Sequence, residues 1–310
     1  MKNIYSFLII IVSLVLSSRP SFVIADNNLK VGTPDGAFSL SPLGGAVYSV
    51  NIECPKGVNG MEPHLSLTYN SQSGYGIAGY GFNLTGLSAI TIGPRDLYHD
   101  DYTKGILHDG HDTFYLDGKR LVLPTGYYVY DGAVYTVEGD PFTTVTAHGA
   151  LNDSTATLWF EVKTPDGITY KYGESNNSRQ RYTNSSGKER INTWYVSTAE
   201  DANTNYISYN YTWSNYYYRP ISIFYGGNRT LNKPHVNSVS FEYEALGVDA
   251  QPFVFDGKKG EINVRLKKVS SKVGTNIYRS YELGYSTTLD GSYGKFARLT
   301  SVTEKNGAGG

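Results

Sequence analysis

"PHLSLTYNSQSGYGIAGYGFNLTG" runs from Pro63 to Gly86. Its first part alternates: Leu65, Leu67 and Tyr69 share one face, and Ser66, Thr68 and Asn70 share the other. That is the period of a half-buried strand. Past the Ser-Gly-Tyr-Gly turn the alternation resumes, with Tyr80, Phe82 and Leu84 set against Gly79, Gly81 and Asn83. Glycines opposite aromatics at successive positions fit close backbone approach or bulging in a curved sheet better than a flexible tail.

The same grammar continues downstream. Tyr127 to Val137 reads as two short strands around Asp131-Gly132, Thr113 to Leu123 turns at Asp117-Gly118, and Leu158 to Gly173 turns at Pro165-Asp166-Gly167. Asp-Gly between alternating apolar residues is a hairpin signal. Tyr206 to Trp213, Ser238 to Ala245 and Ile277 to Ser286 alternate with no helical option. No amphipathic helix of three turns is found. Strands at this spacing predict an all-β protein. Two stretches read as looser: Gly173 to Arg190, a polar surface loop or hairpin tip, and Thr303 to Gly310, a flexible end or linker.

Composition supports this reading and excludes others. The 310 residues carry a formal charge of -1, with 34 Gly and 28 Tyr. Tyrosine suits strands, packing its ring while its hydroxyl stays hydrated. No long Lys/Arg block exists, so nucleic acid is not the expected partner. The start differs. Met1-Lys2-Asn3 precedes the uncharged run Phe7 to Leu16, and Val23-Ile24-Ala25 stands before Asp26. The run is too short to span a bilayer but fits a secretory leader of residues 1–25. Removing it takes away Lys2 and Arg19, leaving 25 basic and 28 acidic residues, a charge of -3. No stable membrane anchor is expected. The single cysteine, Cys54, can form no internal disulfide and is expected as a packed small side chain.

One cluster carries residue types suited to metal or acid/base chemistry: His99, Asp100, Asp101, His108, Asp109, His111 and Asp112. Its spacing matches neither H-E-x-x-H nor a calcium loop, and Asp and Gly also serve hairpin turns. No G-x-S-x-G elbow occurs in a strand-turn-helix setting. No residue is therefore assigned as catalytic, cofactor-binding or metal-ligating, no cofactor is expected, and the chain is read as not an enzyme. Carbohydrate stays open as a ligand, since aromatic strands can form a sugar-stacking face.

Read with its flanks, the opening stretch resembles the amino-terminal domain of the Salmonella virulence plasmid B protein (SpvB) family. The resemblance starts at "GAFSLSPLGGAVYSVNIECPKG" (Gly36 to Gly57) and passes through the Y-N-S, G-x-G and G-Y-G run. It continues in "FYLDGKRL" (Phe114 to Leu121), "FEVKTPDGITYKYG" (Phe160 to Gly173), "TWYVSTAEDANTNYISYNY" (Thr193 to Tyr211) and "EINVRLKKVSS" (Glu261 to Ser271). "YELGYS" and "RLTSVTEKNG" (Arg298 to Gly307) complete it. The family usually has Trp where Phe82 stands. The ADP-ribosyltransferase domain, YD repeats and aspartate self-cleavage motif of longer relatives have no counterpart in these residues.

The resemblance implies architecture. In the related B component of toxin complexes and in Rhs/YD-repeat proteins, such a region supplies curved antiparallel sheet, built from successive hairpins, to a shell around a toxic domain. The expected domain is an SpvB-like β domain over residues 26–302, shell-like, with no substantial helix after the leader. The expected role is a secreted structural module whose partner is a YD-repeat/Rhs shell segment or a toxin-complex protein. Export to the periplasm is the alternative location. The rival reading is a stand-alone extracellular module binding carbohydrate or protein.

Overall fold

A computed structural model describes residues 34–108, 110–124, 129–150, 157–184, 186–255, 257–290 and 294–307. The leader expected over 1–25, Asp109, Tyr127 and Tyr128 lie outside the described residues. The chain opens with β1 (Gly36–Leu40), β2 (Ala46–Ile52) and β3 (Leu65–Asn70). The short pair β4 (Tyr75–Gly76) and β5 (Gly79–Tyr80) follows, then β6 (Phe82–Thr85). The first sheet has the order β1-β2-β3-β6, all antiparallel.

The alternation expected through Tyr80 is interrupted. Gly81 sits at φ +78 between β5 and β6. A Cβ there would lie 2.6 Å from the Tyr69 ring. Only glycine permits both the left-handed backbone and this approach. Tyr80 therefore points to solvent, while Phe82 and Leu84 pack on the core.

Next come β7 (Ala89–Gly93), helix α1 (Leu97–Asp100), β8 (Thr113–Leu116), β9 (Lys119–Val122), β10 (Val134–Val137) and β11 (Asp140–His148). They lead into β12 (Trp159–Lys163), β13 (Thr169–Tyr172), β14 (Arg179–Thr183) and β15 (Glu189–Glu200). Ladders join β7 through β13 in sequence, and β15 pairs with both β13 and β7. The ring closes into an eight-stranded barrel. Alternate residues fill it: Ile90, Phe114, Leu121, Tyr135, Val145, Phe160 and Trp194 are fully buried. Phe114, Phe160 and Trp194 meet edge to face, with centroids 5.0, 5.5 and 5.2 Å apart. That arrangement suits ring quadrupoles. The Trp194 indole N–H donates to the Leu158 carbonyl at 2.6 Å, satisfying a buried donor.

Two expectations change here. Asp131-Gly132 is a turn but not a hairpin tip: β10 pairs with β9 and β11, and Gly132 N–H donates to the Ala147 carbonyl. Gly173 to Arg190 is not all loop. Gln180 to Thr183 ladder onto Thr193 to Glu189, leaving only 184–188 as a tip. Its strand was hidden because every outward residue is polar.

The strand β15 belongs to two sheets. Beyond the barrel its ladder continues into β16 (Asn205–Ser214), β17 (Tyr217–Asn228), β18 (Asn237–Ala245), and, after the separate hairpin β19 (Gln251–Phe255) and β20 (Lys258–Ile262), into β21 (Val264–Val273), β22 (Asn276–Asp290) and β23 (Gly294–Asn306). β23 runs four residues into the stretch expected as a flexible end. Register shifts in the ladders β16–β17, β18–β21, β21–β22 and β22–β23 mark bulges, which bend and twist a long sheet.

The first sheet packs on this extension. Val50, Ile52, Leu65 and Leu67 meet Ile223, Tyr225, Val239, Leu266, Val269 and Tyr281. Tyrosine hydroxyls then seat the segment after β2: Tyr225 donates to the Pro55 carbonyl at 2.7 Å, and Tyr281 accepts from Glu53 N–H at 2.9 Å. Cys54, between them, is half-buried against this core. Burial and the nearby Glu62 and Glu53 push its thiol up to about 12. The packed small side chain expected from the sequence is what the geometry provides.

Candidate functional site

The His/Asp cluster lies in the excursion between β7 and β8, residues 94–112. Of its carboxylates, Asp100 is held by arginines. Arg120 on β9 points away from the barrel core, because its neighbour Leu121 points in. Its guanidinium donates to Asp96 at 2.9 Å and to both Asp100 oxygens at 2.7 and 2.8 Å. Arg95 lies 3.8 Å from Asp100, and its Nε donates to the His111 carbonyl at 2.6 Å. Asp96 also caps α1 by accepting from His99 N–H.

His99 bridges Asp96 (2.9 Å) and Glu138 (3.0 Å). The bond to Glu138, then that to Asp96, raises its pKa. Hydrogen bonds from His99 hold the Asp96 carboxyl below its ordinary range. Asp112 accepts from Leu107 N–H, and His108 Nε2 lies 3.2 Å from the Tyr182 hydroxyl. Asp101 is exposed at φ 61, and the His111 side chain is exposed. The cluster thus divides. Asp100 and His99 join Arg95, Asp96, Arg120 and Glu138 in a clasp that straps 94–112 to the barrel wall. Asp101 is exposed, His108 and Asp112 bond to Tyr182 and Leu107, and His111 meets the clasp through its backbone carbonyl, which accepts from Arg95. Among the described residues no group of three or more His, Cys, Asp or Glu is placed to hold a metal ion. Sequence reading missed Arg95, Arg120 and Glu138, because strand arginines carry no local signal of which carboxylate they will meet.

The barrel's other feature is an open mouth. The turns β8–β9, β10–β11 and β12–β13 crowd one end, and a cavity of about 720 Å³ opens among them. Val137, Val162, Ile168 and Val196 form its apolar wall, and the segment Gly60 to His64 lies over it. Tyr170 and Tyr209 also line it and pack against both the barrel core and the core between the first sheet and the extended one. Asp117, Asp140 and Asp166 stand on the rim. Each braces a turn: Asp117 accepts from Ser88 Oγ and Ala89 N–H, Asp140 from Thr143, and Asp166 from the Thr164 hydroxyl.

The third feature is the sheet edges. β1 pairs only with β2, and β23 only with β22, among the described residues. All five residues of β1 are exposed, and Phe38 and Leu40 are 69% and 67% accessible. They lie on the face that carries Val50 and Leu67 into the core. The apolar face therefore overhangs its partner sheet.

These features define a class: a bulged antiparallel β module, one end closed as a barrel and the other left as open sheet. Residues 40–124 match the family described as Salmonella virulence plasmid 65kDa B protein (SpvB). The resemblance read from the sequence is borne out. The fold is that of the TcdB2-TccC3 crystal structure, with TM-score 0.68 and 15% identity over 88% of this chain and 16% of that one. The Photorhabdus luminescens Tc holotoxin pore matches with TM-score 0.68 and 15% identity over 88% of this chain and 15% of that chain. The N-terminal domain of effector protein SpvB from Salmonella typhimurium strain LT2 matches with TM-score 0.64 and 15% identity, over 83% of this chain and 98% of that one. The chain spans about one sixth of the TcdB2-TccC3 chain. No curated protein sequence matches it.

Proposed function

We propose that the chain is a secreted, non-catalytic structural module of a toxin-related protein, supplying β-sheet to a shell that encloses a toxin domain. The observation that supports this most is the 13-residue edge strand β23, at the end of a sheet whose fold recurs within a much longer toxin-complex chain. A strand of that length paired on one side only leaves N–H and C=O groups on its other edge, outside the part near Ala297 that β5 approaches, and further sheet would satisfy them. The partner on this reading is a YD-repeat/Rhs shell segment or a toxin-complex protein. Among the described residues no helix is long and apolar enough to cross a membrane. The rival, carbohydrate binding by a stand-alone module, rests on Trp213, exposed and stacked on Tyr218 at 5.2 Å.

The test is the intact mass of the native protein from culture fluid, with bound proteins identified. A longer chain, or a stable complex with a YD-repeat protein, is expected. A lone monomer of this chain's mass, less a leader, would overturn the shell reading. Binding to a glycan array that is lost in Trp213→Ala would then favour the rival.

A further inference from the structure

We propose that the barrel mouth binds a small organic cation with an apolar body, of the arylalkylammonium class. Four observations converge on it. The cavity, about 720 Å³, falls within the size range of small-molecule sites, which favour barrel mouths. Its wall is aliphatic, from Val137, Val162, Ile168 and Val196, so an apolar body gains by entering.

Two phenols offer unused hydrogen-bonding capacity. Tyr209 is largely buried and Tyr170 half-buried, both line the cavity, and among the described residues neither hydroxyl has a hydrogen-bond partner in the protein. Their neighbours behave otherwise: Tyr172 bonds Ser88 at 2.8 Å and Tyr211 donates to the Val196 carbonyl at 2.9 Å. Burial pushes both phenols up, so they stay neutral and can accept an ammonium N–H.

Charge selects the ligand's sign. Asp117, Asp140 and Asp166 accept hydrogen bonds from neutral donors, and only Asp140 has a nearby lysine, Lys119, offsetting its charge in part, while His64 is the other basic side chain in the lining. Lys119 is the one lysine in the lining, and Glu62 is already paired with Lys56 at 3.0 Å. An anion entering here is repelled, and a neutral ligand strips water from carboxylates without compensating them. A cation gains on both counts.

The probe is 2-phenylethylammonium, titrated calorimetrically into the whole protein at pH 7, with 2-phenylethanol and phenylacetate as isosteric controls. Saturable one-to-one binding of the ammonium is expected, at least about tenfold tighter than the alcohol, with no phenylacetate binding. Tyr170→Phe with Tyr209→Phe removes two oxygens and nothing else, and is expected to weaken binding about tenfold with the ligand-free melting temperature unchanged. Asp166→Asn keeps a turn-forming side chain and is expected to weaken the ammonium alone. No saturation by about 10 mM, equal affinity for the three probes, or undiminished binding by the variants would each overturn the proposal.

Discussion

Gly173 follows β13 at φ +70, and a Cβ there would lie 2.3 Å from the Trp194 ring. The missing side chain is what lets the indole reach the Leu158 carbonyl and complete the ring cluster. Gly173→Ala must either move Trp194 or unwind the turn. The expected cost is about 2–4 kcal/mol, the sum of left-handed strain and overpacking. It is read as a lowered urea midpoint with unchanged slope; a shift under about 0.5 kcal/mol would show that the indole has room to spare. This pair marks a limit of sequence reading. Gly173 was visible as the glycine ending a strand, but its partner stands 21 positions later, and no local pattern links them.

At the scale of elements, the strap over 94–112 depends on Arg120, whose side chain is 2% exposed, and Asp100, whose side chain is 4% exposed. Arg120→Met leaves the buried Asp100 carboxylate with the Asp96 N–H at 3.0 Å and Arg95 at 3.8 Å, an expected loss of about 3–5 kcal/mol. Hydrogen-exchange protection of residues 95–108 should fall more than that of β12. Adding Asp100→Leu should restore much of it, since apolar replacement of a buried pair is often neutral. Continued weakness in the double variant would place the strap's hold elsewhere.

His99 adds a pH dependence to the same clasp. Its pKa is raised above the ordinary 6.5, so its contribution is complete below that value and is lost as pH rises through the folded pKa. Asp96, lowered below 3.8, contributes above that value and loses its effect as pH falls through its folded pKa. The strap is therefore most protected between those limits. His99→Gln should flatten the upper flank of the protection profile; a profile identical to wild type would remove His99 from the clasp.

Legibility at this scale followed periodicity. Hairpins with one apolar face, such as β8–β9 and β12–β13, were readable in full because Asp-Gly fixed the turn and alternation fixed the face. The polar strand β14 was not, since it gains its place from β15 rather than from its own side chains. Nor was barrel closure, which pairs Thr91 with Thr193 across a hundred residues. The histidines and aspartates were seen, but their partners, Arg120 for Asp100 and Glu138 for His99, lie far along the chain and the linear pattern left them unassigned.

The whole molecule ends in sheet edges of different character. β23 carries Arg298 along with Glu304 and Lys305, the last two ion-paired to Arg279 and Glu282 of β22, and charge on an edge strand discourages indiscriminate pairing. β1, with the sequence Gly-Ala-Phe-Ser-Leu, has neither charge nor proline and is exposed throughout. An uncharged edge with an overhanging apolar face is a template for another strand, and in isolation it has none. The separated chain should therefore self-associate as concentration rises. Ala37→Lys puts a charge on that edge, on the face opposite Phe38, and removes no core contact. It should shift sedimentation toward monomer while stability changes by less than about 0.5 kcal/mol. The same substitution on β1 should leave any association through β23 untouched, so a partner that joins the sheet at its far end would still bind. A wild-type chain that sediments as monomer at every concentration would mean that the β1 edge is covered within the molecule itself.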